Sequence, residues 1–283
     1  MTYVGGFAGA VIGLFLRYPL RGRLPDARIF LIQEALFVFG VGVGLFLDVR
    51  EACMEAAEHQ VVQFLRLVAS GDVAEVTRCL AADSSLARTP AIVGATRTGA
   101  AQFFIAEIAH YVYAGDTPLH IAAAAFRGDV AALLITHGAD CRARNRRGAQ
   151  PLHYAADANR WSPAAQSDVI VYLTSVGADA NATDKSGVAP LHRAIRTRSL
   201  PAVQVLLTAG ADPNQQNGSG STPLHLAVRT TGRGGSGTDL AREQQEGIVR
   251  LLITVGARPT DRDGRGTTAL NAAPNARVRA WLT

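Results

Sequence analysis

The chain has 283 residues, of which 48% are hydrophobic, 18% charged and 6% aromatic, so it can bury one substantial core or several small ones. That composition excludes collagen-like, disordered and disulfide-scaffold chains. The net charge is +5, from 28 basic and 23 acidic residues, yet Lys185 is the single lysine, and an arginine-rich coding bias accounts for the basicity as readily as a polyanionic partner does.

In chain order, residues 1–57 form an apolar leader in which segments 3–16 and 29–47 are almost free of charge. Segment 3–16 is shorter than the roughly 20 residues that span a bilayer, and 29–47 contains Gln33 and Glu34. Arg17, Arg21, Arg23 and Arg28 lie between them. Three readings stay open: a membrane hairpin or single span through residues 3–47, a hydrophobic helix packed on the units C-terminal to it, or an extension from a wrongly chosen start. Arginines on the cytoplasmic side would place the rest of the chain outside, which suits three unpaired cysteines poorly. No basic n-region or cleavage motif marks a signal peptide. Localisation is therefore expected to be cytoplasmic, or membrane-associated if the leader is an anchor.

Residues 58–114 read as a helical hairpin followed by a linker. Helices are predicted over 61–68 and 73–81, joined by 69–72, with 83–97 extended or looped and a short helix within 99–113.

From residue 115 the chain repeats itself. GDTPLHIAA (115–123), GAQPLHYAA (148–156), GVAPLHRAI (187–195) and GSTPLHLAV (220–228) recur, and a degenerate copy, GTTALNAA, starts at 266. Each full copy precedes an apolar helical run ending in a Gly-Ala turn, with Gly138, Gly177, Gly210 and Gly256 where a left-handed helix end needs no Cβ. Thr117 and Thr222 place a capping hydroxyl before Pro118 and Pro223 at the first helical turn. Extra residues around 159–166 and 231–244 fall between the two helices of their units, on one edge of the stack. Stacking completes what each unit cannot bury alone.

This period, with its TPLH and Gly-Ala-Asp signatures, resembles the ankyrin-repeat family over residues 115–273. The resemblance implies an all-α solenoid of helix-turn-helix units with β-hairpin loops, here with two inter-helix insertions. The units would be 115–147, 148–186, 187–219, 220–265 and a partial C-terminal cap, 266–283, with 58–114 a divergent N-terminal unit and linker.

Catalytic chemistry is not legible. His120, His153, His192 and His225 recur once per unit, but stacked units lie about 10 Å apart and no Cys or carboxylate recurs beside them to make a metal site. The resemblance implies a structural histidine that links adjacent loops. Cys53, Cys79 and Cys141 lack paired or zinc spacing and suit free thiols in a reducing compartment. The glycine-rich 232–237 lacks the ending and preceding strand of a phosphate loop. The expectation is a non-enzymatic chain with no cofactor and no metal.

The resemblance further implies a concave partner surface made of hairpin tips and exposed first-helix sides. Carried over by position, its contact residues are Asp116, Ala124 and Ala125; Arg146, Arg147, Ala149, Asp157 and Ala158; Lys185, Val188, Arg196 and Thr197; Ser221, Arg229 and Thr230; and Arg265 and Thr267. Trp161, in the first insertion, either roofs a helix pair or contacts a partner. The charged members and Trp161 form the candidate site, and their arginines point to a protein with an acidic surface or segment. The alternatives are a membrane-tethered adaptor and nucleic-acid or other polyanion binding through the arginine-rich face. The latter is disfavoured by the scarcity of aromatics and of any dedicated motif.

Overall fold

The computed structural model describes residues 58–96, 99–157, 162–229 and 238–282. Its first element, α1 (58–70), turns at Gly71 into α2 (Val73–Ala82), whose first turn is capped by the Asp72 carboxylate accepting the Glu75 N–H. Val61, Phe64, Leu65 and Val68 of α1 are buried, the spacing of one helical face. They pack in one core with Val76 and Leu80 of α2. The predicted hairpin is thus present.

The short helix expected within 99–113 is there only as two single 3-10 turns, Ala101–Phe103 and Ala106–Ile108. A two-stranded antiparallel pair stands there, β1 (Phe104–Ile105) and β2 (His110–Tyr111), with Phe104 opposite Tyr111 and Ile105 opposite His110. Phe103 and Ile105 are buried on either side of the less buried Phe104, a period of two that a helix cannot serve. Ala109, at φ 48°, makes the reversal. Residues 91–95 then run beside 112–116: the Ala95 N–H donates to the Val112 carbonyl, Ala91 to Asp116 and Gly115 to Ala91.

Five helix pairs follow. They are α3 (Pro118–Ala124) with α4 (Gly128–Thr136), α5 (Pro151–Ala155) with α6 (Pro163–Ser175), α7 (Pro190–Arg196) with α8 (Leu200–Thr208), α9 (Pro223–Val228) with α10 (Asp239–Thr254), and α11 (Ala269–Ala272) with α12 (Ala276–Ala280). First helices stack in one row from α3 to α11, and second helices in another from α2 to α10. The chain is a predominantly helical solenoid. Leu119, Leu152, Leu191 and Leu224, one per unit, are at most 1% exposed between neighbouring first helices.

At the far end of the second helices, residues four beyond the turn glycine tie each unit to the next. Arg142 Nε donates to the Gly177 carbonyl, Asn181 Nδ2 to Gly210 and Asn214 Nδ2 to Gly256.

The insertions lengthen the second helices: α6 has 13 residues and α10 has 16, against 9 in both α4 and α8. Where no insertion intervenes, the backbone N–H of Arg127 closes on the Ala122 carbonyl and that of Ser199 on Ala194. In the longer units a buried glutamine donates to the equivalent carbonyl. Gln166 Nε2 donates to the Ala155 carbonyl at 2.9 Å and Gln245 Nε2 to Ala227 at 2.7 Å. Residues 158–161 and 230–237, with Trp161, Ala158, Thr230 and the glycine-rich stretch, lie outside the described residues.

The expected membrane partner and membrane-associated localisation are corrected. Among the described residues no helix is long and apolar enough to cross a membrane. The longest with both ends described, α10, carries Asp239, Arg242, Glu243, Glu246 and Arg250, charges too costly for a hydrocarbon core. Residues 3–47, on which the expectation rested, lie outside the described residues, and the membrane reading is dropped.

Candidate functional site

Each hairpin tip is built on an Asn or Asp three residues before a glycine. Asn145 Oδ1 accepts the N–H groups of Arg147 and Ala149, Asp184 Oδ1 those of Ser186 and Val188, Asn217 Oδ1 those of Ser219 and Ser221, and Asp263 Oδ1 those of Arg265 and Thr267. These side chains satisfy amides that a tight turn leaves without backbone partners. Gly187, at φ 70°, shows why the following glycine is needed: a Cβ there would lie 2.5 Å from the Gly218 nitrogen. Successive tips are joined by backbone hydrogen bonds, from Arg146 N–H to Ala114, Lys185 to Arg147, Gly218 to Ser186 and Gly264 to Ser219.

Behind the tips runs a ladder of buried histidines. Their Nδ1 atoms accept the N–H of the residue before each first helix, Thr117, Gln150, Ala189 and Thr222 respectively. Their Nε2 atoms donate onward: His120 to the Ala149 carbonyl, His153 to Val188, His192 to Gln215 and His225 to Thr267, all at 2.9–3.0 Å. Both ring nitrogens are engaged: Nδ1 holds the start of its own first helix, and Nε2 reaches the following unit from His120, His153 and His225 and a loop of its own unit from His192. Burial lowers the pKa of His120 and His192. It lowers that of His153 to about 4, with the Arg193 charge acting in the same direction. Among the described residues no group of three or more His, Cys, Asp or Glu could hold a metal ion.

The charged candidates divide into interior and exterior. Asp116 is fully buried; its carboxylate accepts the Tyr113 N–H, Asn145 Nδ2 and the Tyr154 hydroxyl at 2.7–2.8 Å and presents no oxygen to a partner. Asp157 lies between Arg193 and Arg196, at 3.3 and 3.2 Å. Arg229 stands 3.7 Å from Asp263. Arg147 lays its guanidinium 4.0 Å above the Tyr113 ring. Arg146, Lys185 and Arg265 are exposed at the tips. Trp161 lies outside the described residues.

Two features escape the sequence-based site. Arg193, 13% exposed, bridges Asp157 and Asp184, the latter at 3.1 Å. Burial alone would raise the Asp184 carboxyl, but the N–H groups of Val188 and Ser186 and the Arg193 guanidinium together hold it below its usual range. The second is the tip Asn/Asp, whose recurrence three residues ahead of Gly148, Gly187, Gly220 and Gly266 is visible in the sequence. In the stretch 141–147, moreover, only the last two arginines face outward as tip residues. Arg142 binds the Gly177 carbonyl, and Arg144 binds those of Gly148 and Thr183.

Comparison with protein families gives matches to ankyrin repeats (3 copies) over residues 53–184, ankyrin repeats (many copies) over 175–227 and an ankyrin repeat over 219–264. A search of curated proteins found no match.

Proposed function

The chain belongs to the ankyrin-repeat family, a non-catalytic scaffold generally used for protein–protein interaction, and from that premise we propose that it holds a partner protein on the face made by its hairpin tips and first helices. One observation carries this reading. The backbone of the tips is hydrogen-bonded internally and from tip to tip, while Arg146, Arg147, Lys185 and Arg265 stand exposed upon it. A rigid platform with outward variable side chains loses little entropy when it binds. The second-helix row offers no equivalent array: exposed Arg250, for example, is already paired with Glu246.

Site-directed photo-crosslinking tests the proposal. A photoreactive residue in place of Arg146 or Lys185 of the full chain is expected to capture the same protein from native lysate. Capture should be lost when Arg147→Glu and Arg196→Glu are added. The same probe at position 250 should capture nothing in common. Adducts formed at position 250 and absent from both tip positions would reject the tip face.

A further inference from the structure

We infer that the bound segment is acidic and extended, and that it engages two separate cationic patches: several carboxylates over Arg146, Arg147 and Lys185, and one over Arg265. The inference rests on the tip face being the binding face and specifies what that face selects.

It begins with an imbalance of charge. Every carboxylate near the tips is already engaged. Asp116 is enclosed by Tyr113, Asn145 and Tyr154; Asp157 is held by Arg193 and Arg196; Asp184 and Asp263 each accept two backbone N–H groups and face an arginine. The cations are not matched in the same way. The charged ends of Arg146, Lys185 and Arg265 form no hydrogen bond or ion pair among the described residues. Arg147 is fixed over Tyr113, and stacking on a ring leaves the in-plane N–H donors of a guanidinium available to a carboxylate.

The cations are also unevenly placed. Lys185 donates its backbone N–H to the Arg147 carbonyl and its side chain lies against Gly148, so the first two tips make one continuous patch. The third tip is neutral, and its geometry enforces part of that neutrality: a Cβ at Gly218 would lie 2.5 Å from the Ser186 carbonyl oxygen. Positive charge returns only at Arg265. If each tip contributes two strand widths, neighbouring tips are about 10 Å apart, and the two steps from Lys185 to Arg265 cover about 20 Å. An extended chain crosses that distance in about six residues.

The pattern favours a peptide over a nucleic acid. A phosphate backbone is charged at every nucleotide and gains nothing from a neutral gap. Single strands also need bare aromatic faces for stacking, whereas Tyr113 is covered by Arg147 and Tyr154 is buried.

The test uses the full chain and fluorescence anisotropy with four labelled probes. One peptide carries a triple-glutamate cluster, about six neutral residues and a further glutamate. The others are a peptide of the same composition with evenly spread glutamates, the triple-glutamate cluster alone, and a thymidine oligonucleotide. The patterned peptide is expected to bind about tenfold tighter than the evenly spread one, with affinity falling as salt rises. Arg265→Ala should reduce the patterned peptide to the affinity of the cluster alone, and Arg146→Glu with Lys185→Glu should abolish both. Unchanged thermal unfolding of these surface variants excludes misfolding as the cause. Equal binding of the two longer peptides, or tighter binding of the oligonucleotide, overturns the inference. Failure of all four probes while positions 146 and 185 still crosslink a protein overturns the acidic pattern and leaves the tip face standing; failure of crosslinking as well overturns both.

Discussion

A single ring, His153, shows how closely stability is tied to protonation here. Nδ1 accepts the Gln150 N–H and Nε2 donates to the Val188 carbonyl, which only the neutral Nε2–H tautomer can do. A second proton would set N–H against N–H. Its folded pKa of about 4 lies below the value near 6.5 of an unfolded histidine, so as pH falls the unfolded chain takes up the proton first. The stabilisation is complete above pH 6.5 and is lost as pH falls through that value towards about 4. A shift of that size corresponds to about 3 kcal/mol from this residue. His120 and His192 are displaced in the same direction, whereas Asp184 acts only at lower pH, where carboxylates protonate. The unfolding midpoint should therefore drop steadily between pH 7 and 4.5, and His153→Gln should lower it at pH 7 while flattening its pH dependence. A midpoint constant across that range would show that the ring's protonation is not coupled to folding.

At the scale of the element, the two longer units test how much a side-chain amide bonded to a helix-end carbonyl contributes. Gln245 Nε2 reaches the carbonyls of Ala227 and Arg229, and Gln166 also accepts the Ser199 hydroxyl at 2.7 Å. Removing either amide takes this donor from a helix-end carbonyl in the interior, at a cost of about 1–3 kcal/mol. Gln245→Ala should show that loss in denaturant unfolding, while Gln204→Ala, on the exposed side of α8, should change stability by less than about 0.5 kcal/mol. Equal effects would mean that Gln245 does no more than occupy space. These glutamines also mark where sequence reasoning stops. The repeated helices, their glycine ends and the positions of the insertions are periodic features and were readable. Nothing distinguishes Gln166 from any other polar residue until the fold places Ala155 beside it. The same holds at the candidate site. Arg146, Lys185 and Arg265 were readable because tip positions follow the repeat, but Asp116 occupies a tip position and is nevertheless enclosed by Tyr154 of the next unit and Asn145. Arg193 passed unnoticed because its two carboxylates come from different parts of the chain. The helix expected within 99–113 is limited to two 3-10 turns because a short apolar run fits a strand equally well, and the pairing of Phe104–Ile105 with His110–Tyr111 takes the residues between and around them.

Across the whole molecule, stability follows from stacking each unit on its neighbours, so the two ends need not be equivalent. At the N-terminal end, α2 packs on α4, and the Glu58 carboxylate accepts the N–H groups of Ile92 and Val93. Residues 91–95 and 112–116 form a bonded buttress against the first tip. The C-terminal unit is thinner. Its first helix, α11, has four residues, Asn271 replaces the linking histidine, and Leu270 is 38% exposed where Leu224 of the preceding unit is fully buried. Val278 and Leu282 supply the remaining cover. Local opening costs least where apolar contacts and cross-unit hydrogen bonds are fewest, so unfolding should begin at α11 and α12 and proceed towards the centre. Native-state hydrogen exchange should show opening free energies for α11 amides at least about 2 kcal/mol below those of α7 and α8, with α1 and α2 between them. Because the histidine links of His120, His153 and His225 each join a unit to the one that follows it, weakening the His225–Thr267 bond by His225→Ala should speed exchange in α11 and α12 while leaving α3 and α4 unchanged. If α11 exchanged as slowly as α7, or if the substitution accelerated all units alike, the solenoid would be opening as one cooperative body rather than from its thinner end.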